Sequence, residues 1–253
     1  MPYTEIANDL ANSDHGLHSP LTPIDKIEQR LSALAGNPDL EERRLVVLME
    51  GGSFNPVHMG HVETMQIAKA MLEAQGSIVL GGYFSPAHDE YVRGKLSAEA
   101  LSAVHRLRLI EKAVLDSDWL MADAWESLGS EHWVDFKTVL PRLEHYLSMT
   151  VNSPRPIEVV YVVGSDGAER TRAFLSQGQC VCVQRPCFED NFYQLAQEHR
   201  LSGTSRCLFA SGQTLEISST AIRQGHLSAR ADENWTGIFR EFQRLSQIGR
   251  QAA

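Results

Sequence analysis

Residues 51–61 read GGSFNPVHMGH and follow directly on the apolar run RLVVLME. Gly51 and Gly52 let the main chain turn sharply, and with no Cβ in the way their N–H groups can point at an anion. Pro56 stiffens the loop. Gly60 and His61 fall where the next helical pattern begins, so the unpaired N–H groups and positive dipole end of that helix face the same point. His58 and His61 are three residues apart, share one side of a helical turn, and can each donate to a phosphate oxygen. The chemistry on offer is anion binding. A glycine-rich turn with two surface histidines is the competing reading, and H-x-x-H alone supplies too few ligands for zinc.

Residues 217–223, ISSTAIR, offer a complement. Ser218 or Ser219 can cap a helix, exposed N–H groups and the Thr220 hydroxyl can meet phosphate, and Arg223 adds a positive fork one turn on. Alone, such a string is more often only a capped helix.

The elements that must position these motifs alternate. Buried strands are expected at RLVVLME, SIVLGGYFS, WLMADAW, IEVVYVVG, CVCVQR and CLFAS. Helical spacing recurs in HVETMQIAKAMLEAQG, SAEALSAVHRLRLIEKAVLD and VDFKTVLPRLEHYLSM, where Pro141 should begin or kink a turn. Further helices are expected around 168–175, 191–199, from Ser218, and near 238–246. The β-α-β order predicts an α/β fold: a Rossmann-like, doubly wound parallel sheet with helices on both faces. Both motifs then sit at strand-to-helix junctions, where such folds bind ligands. Residues 1–43 read as an N-terminal extension before a domain at 44–253. Within the extension, Asp25 can cap a short helix with apolar Ile27, Leu31 and Leu34, ended by Gly36.

Composition sets limits. The 253 residues can bury a sizeable core, and 43% hydrophobic with 22% charged residues is ordinary for a globular protein. No apolar run approaches the ~20 residues of a membrane span, and the N-terminus lacks the basic start and apolar core of a secretory signal. A formal charge of −9 argues against a nucleic-acid partner, so phosphate must be bound in a local pocket. Alternation puts Cys180 and Cys182 on one strand face, as buried thiols in a reducing compartment. The expected location is cytoplasmic, with the nucleus also open, and a homo-oligomer is compatible with the sequence.

The first motif resembles the G-x-F-x-P-x-H-x-G-H signature of the nucleotidylyltransferase superfamily, and ISSTAIR resembles its I-S-S-T-x-x-R. Between them, FSPAHDEYVRGKLSAEALSAVHRLRLIEKAV, ADAWESL, VVGSDGAE and VCVQR are similar to segments of the eukaryotic-type nicotinamide/nicotinate mononucleotide adenylyltransferases. The similarity runs from about residue 44 nearly to the C-terminus.

That resemblance implies adenylyl transfer from ATP, bound with Mg²⁺, to a pyridine mononucleotide, giving NAD or its deamido form and pyrophosphate. It implies catalytic phosphate contacts from His61, His58 and Arg223, and an ATP side built from Gly52, Ser53, Phe54, Arg93, Ser219, Thr220 and Ile222. The pyridine nucleotide and its ribose would fall to Trp125, Gly164, Asp166, Arg185 and Tyr91, with no dedicated metal ligand. Each has a plainer reading: Trp125 as core filling, Asp166 as a helix cap, Arg93 and Arg185 as surface charges. The chain departs from the family pattern in keeping His58, in lacking a second stacking tryptophan in GAERTRAFLSQGQ, and in carrying Leu215 where an asparagine is common. The rivals are another small-molecule nucleotidylyltransferase of the superfamily and a non-catalytic NAD- or ATP-binding protein.

Overall fold

Continuous apolar strands such as LVVLM are stable only when both of their faces are covered, and helices cover them here. The computed structural model describes residues 21–169, 172, 179–202, 206–212, 214–226 and 232–251. Among these, β1 (Leu45–Gly52), β2 (Ile78–Pro86), β3 (Leu120–Ala122), β4 (Ile157–Gly164), β5 (Cys180–Val183) and β6 (Cys207–Ala210) form one sheet. Its order is β3-β2-β1-β4-β5-β6 and every pairing is parallel. The expected α/β fold is the one observed. Strand order reverses between β1 and β4, which opens a crevice at their carboxyl ends.

The helices are α1 (Asp25–Ala33), α2 (Asp39–Glu42), α3 (Met59–Ala74), α4 (Asp89–Leu96), α5 (Ala103–Ala113), α6 (Phe136–Thr150), α7 (Glu189–Ser202), α8 (Ser219–Arg223) and α9 (Glu233–Gln251). Alternation along β1 sorts them into two layers. Val46 and Leu48 pack with Met65 of α3, Ile110 of α5 and Phe239 of α9. Leu45, Val47 and Met49 pack with Ile27 of α1, Leu143 of α6 and Leu195 of α7. Each such side chain, fully buried, stabilises the fold by about 1.5–3 kcal/mol. Cys180 and Cys182 lie together in the second layer, on one face as alternation requires.

The stretch before β1 is not loosely attached. Ile27 is fully buried and fits over Gly81, where a Cβ would come within 2.9 Å of it. Asp25 is the first residue of α1 and not its cap; Ile24 holds that position without a side-chain bond. Helix α6 is capped by Asp135 and runs through Pro141 without a break in its span. Most of the helix expected around 168–175 lies outside the described residues.

Candidate active site

The loop after β1 turns with Phe54 at φ 44°, a left-handed conformation unusual for a bulky residue and held by its surroundings. Phe54 is buried edge-on between Phe84 (5.3 Å between ring centres) and His61 (4.9 Å). Asn55, 1% exposed, donates to the Glu99 carbonyl and accepts from the Leu101 N–H, both at 2.8 Å. Arg106 is fully buried and donates to the carbonyls of Ser53 (2.9 Å), Ala87 (2.7 Å) and Leu101 (3.1 Å) and to Asp89 (2.8 Å). A guanidinium can be buried when its N–H fork is used up in this way. It ties the loop to the start of α4.

The loop delivers His58 to the amino end of α3, where its backbone N–H donates to His61 Nδ1 at 3.1 Å. That bond places the neutral ring's proton on Nε2 and leaves it as a donor. The two imidazoles stack with centres 3.7 Å apart. Burial, reinforced by the nearby Arg185 charge, pushes the His61 pKa down to about 3, and burial also holds His58 well below the usual histidine range. Both rings are neutral donors at physiological pH.

Arg185, just past β5, joins this end of α3 to the segment leading into α8. It is 8% exposed and donates to the Gly60 carbonyl (2.8 Å) and to the Ile217 carbonyl (3.0 Å). Glycine at 60 makes room: a Cβ there would lie 2.6 Å from Arg185 Nη1. Helix α8 meets the loop directly. Ser219 Oγ donates to the Pro56 carbonyl (2.8 Å), and Arg223 donates to the Asn55 carbonyl (3.0 Å), Glu99 (2.9 Å) and Thr220 Oγ1 (3.1 Å). Ser218 caps α8 by accepting from the Ala221 N–H at 3.1 Å.

These elements enclose a cleft of about 440 Å³ at the carboxyl ends of β1 and β4. It brings together Gly52, Ser53, Phe54, His58, His61, Tyr91, Gly164, Asp166, Arg185, Ser219 and Arg223 from the residues expected by sequence. Gly164 is required where it stands, because a Cβ there would strike Asp166 and Arg185.

Four expected residues lie elsewhere. Arg93 points outward, 69% exposed and paired with Asp89, while Lys95 lines the cleft in its place. Trp125 turns its ring to Arg142, 4.6 Å from the guanidinium carbon, and joins the second core layer. Thr220 is exposed with its hydroxyl committed to Arg223, and Ile222 is core at 1% exposure.

Sequence reasoning passed over Trp133, which lines the cleft stacked on Tyr91 at 5.6 Å and 16°. Its loop is held when Glu90 accepts the Trp133 N–H at 2.9 Å. Glu50 and Glu126 were missed as well. Burial raises both carboxyls, Glu126 to about 8 despite the hydrogen bond from Ser85 and Glu50 well above the carboxylate range. Among the described residues, no group of three or more His, Cys, Asp or Glu could hold a metal, and no helix is long and apolar enough to cross a membrane.

A six-stranded parallel sheet with helices on both faces and a cleft at its switch point defines a Rossmann-like α/β protein. Residues 49–225 match the cytidylyltransferase-like family, and the chain belongs to it. It is 35% identical over 134 residues to a nicotinamide/nicotinic acid mononucleotide adenylyltransferase of Arabidopsis thaliana, covering 53% of this chain and 54% of that protein. A rice protein of the same name is 40% identical over 117 residues, 46% of this chain and 45% of its own. The chain thus spans about half the length of the curated relatives it matches. A solved structure of the Plasmodium falciparum nicotinic acid mononucleotide adenylyltransferase, complexed with NaAD, shares the fold with TM-score 0.54 and 14% identity, over 79% of this chain and 96% of that one.

Proposed function

We propose that this chain transfers the adenylyl group of ATP to the 5′-phosphate of nicotinamide or nicotinate mononucleotide. A phosphate oxygen of the mononucleotide forms a bond to the α-phosphorus, the bond from that phosphorus to the β-phosphate bridging oxygen breaks, and pyrophosphate leaves. The nucleophile is an anion at neutral pH and needs no general base. The chain's part is positioning and charge stabilisation. The observation that carries the reading is that His61 and Arg223, far apart in sequence, line one cleft and are tied to each other's segments by Arg185, Ser219 and Asn55.

His61 donates from Nε2 to the α-phosphate, and His58 serves a neighbouring oxygen. Arg223 and the N–H groups near Ser219 receive the outer phosphates. Mg²⁺ would come bound to ATP, with no ligand from a carboxylate cluster among the described residues, and would supply neutralisation of charge on the leaving pyrophosphate. The pyridine end falls to the opposite wall. There Trp133, backed by Tyr91, offers a flat face to a cationic ring, the part that Trp125 was expected to play. Asp166 is placed for ribose hydroxyls beside Gly164.

The test is incubation with ATP, Mg²⁺ and each mononucleotide in turn, with chromatography of the products. The reading predicts a dinucleotide from at least one pyridine mononucleotide and none from pantetheine phosphate. Turnover of pantetheine phosphate alone, or nucleotide binding with no product, would replace it with one of its rivals.

A further inference from the structure

We propose that residues 21–24, ahead of the family-matched region, are a strap that positions the cleft's acceptor wall, with Thr22 as its positioning residue. The inference rests on reading the cleft as an acceptor site. Thr22 is 1% exposed although it lies in a segment with the composition of a loop. Its hydroxyl donates to the fully buried Asp123 (2.7 Å) and accepts from Arg142 (2.7 Å). Its carbonyl accepts from the Tyr146 hydroxyl (3.2 Å), and Tyr83 donates to the Pro23 carbonyl. The Leu21 carbonyl accepts from the Ala124 N–H at 2.7 Å, as an added strand would. Three chain segments, at Tyr83, at Asp123 with Ala124, and at Arg142 with Tyr146, therefore meet on residues 21–23.

What the strap holds is the short turn after β3. Asp123 Oδ1 also accepts from the Trp125 N–H at 3.2 Å, fixing the start of the wide π-type turn Trp125–Gly129. Arg142, held by Thr22, covers the Trp125 ring, and Leu21 packs against Gly129, where a Cβ would meet it at 3.0 Å. The turn's next residue, Glu126, faces the other way into the cleft and accepts from Ser85. One side of the turn is strap and the other is site. Asp123 Oδ2 has no hydrogen-bond partner, so the Thr22 and Trp125 contacts on Oδ1, with Arg142 4.0 Å away, carry its burial.

The test uses the full chain with Thr22→Val, which keeps the shape and removes the hydroxyl, and Thr22→Ser, which restores it. We expect Thr22→Val to raise the mononucleotide KM about ten-fold with the ATP KM within two-fold of the parent, and Thr22→Ser to recover the parent value. Hydrogen–deuterium exchange gives a readout independent of turnover. The Ala124 and Trp125 amides should exchange at least ten-fold faster in Thr22→Val while α7 is unchanged. If those amides keep their protection, the strap does not hold the turn and the inference fails. If they lose it and the mononucleotide KM stays put, the turn does not position the acceptor and the inference again fails. A parent chain that makes no dinucleotide would instead sink the functional reading; the exchange experiment would still decide whether the strap holds.

Discussion

Replacing His61 separates its two jobs. Its Nδ1 accepts the His58 N–H at the start of α3, and its Nε2–H is the donor proposed for the transferring phosphate. His61→Ala removes both, leaving the N–H of a buried residue without a partner, at a cost of about 1–3 kcal/mol in stability. His61→Asn keeps an oxygen for that N–H and removes the distal donor. Loss of one preorganised donor in a site of this kind costs about 2.7–4 kcal/mol, roughly 10²–10³ in kcat. His61→Asn should therefore fold with a Tm close to the parent and turn over about 10²–10³-fold more slowly, with substrate KM values little changed. Continuous pyrophosphate release and a thermal melt measure both quantities. Because burial keeps His61 neutral down to about pH 3, kcat should not rise as pH falls from 7.5 to 6. His61→Asn with near-parent kcat, or a rate that climbs as histidine is protonated, would refute the assignment.

Three further outcomes follow from the same geometry. Trp133→Ala should raise the mononucleotide KM about two- to five-fold, the order of 0.5–1 kcal/mol for a cation–aromatic contact on a ring that is 46% exposed, and leave the ATP KM unchanged; initial rates at varied acceptor measure it. Arg185→Met leaves the Gly60 and Ile217 carbonyls without this donor, so urea unfolding should show about 2–3 kcal/mol of lost stability and the ATP KM should rise. Glu126 titrates near 8 when folded and near its ordinary value unfolded, so between those values the folded chain holds the extra proton. Its contribution to stability then falls as pH rises from 5 to 8, by about 1 kcal/mol per unit, and Glu126→Gln should change the slope of denaturant titrations by that amount relative to the parent, leaving the like-signed part from Glu50 and the opposing part from the buried histidines below pH 6.5 in both proteins.

The sheet was legible because buried parallel strands announce themselves as short apolar runs rich in β-branched residues, and VVYVV in β4 and LVVLM in β1 follow that rule. The loop after β1 and the starts of α3 and α8 were legible for a related reason. Backbone turns and helix starts are local, so glycine, proline and histidine spacing reports them. The opposite wall of the cleft was not, because its residues are assembled from loops. Trp125 and Trp133 are both aromatic and close in sequence, and only the packing of Arg142 against one and Tyr91 against the other tells core from cleft. Arg106 breaks the apolar stripe of α5 and could have been noticed as a charge on a buried face. Thr22 carries no such mark, since its partners lie about a hundred residues away.

The most direct test of the account is to follow the label from [α-³²P]ATP with mononucleotide and Mg²⁺ present. Direct transfer in one cleft requires the label to appear in the dinucleotide in step with an equal amount of pyrophosphate, and to stay in ATP when the mononucleotide is left out. Label accumulating in AMP, or remaining in ATP with both substrates bound, would contradict it.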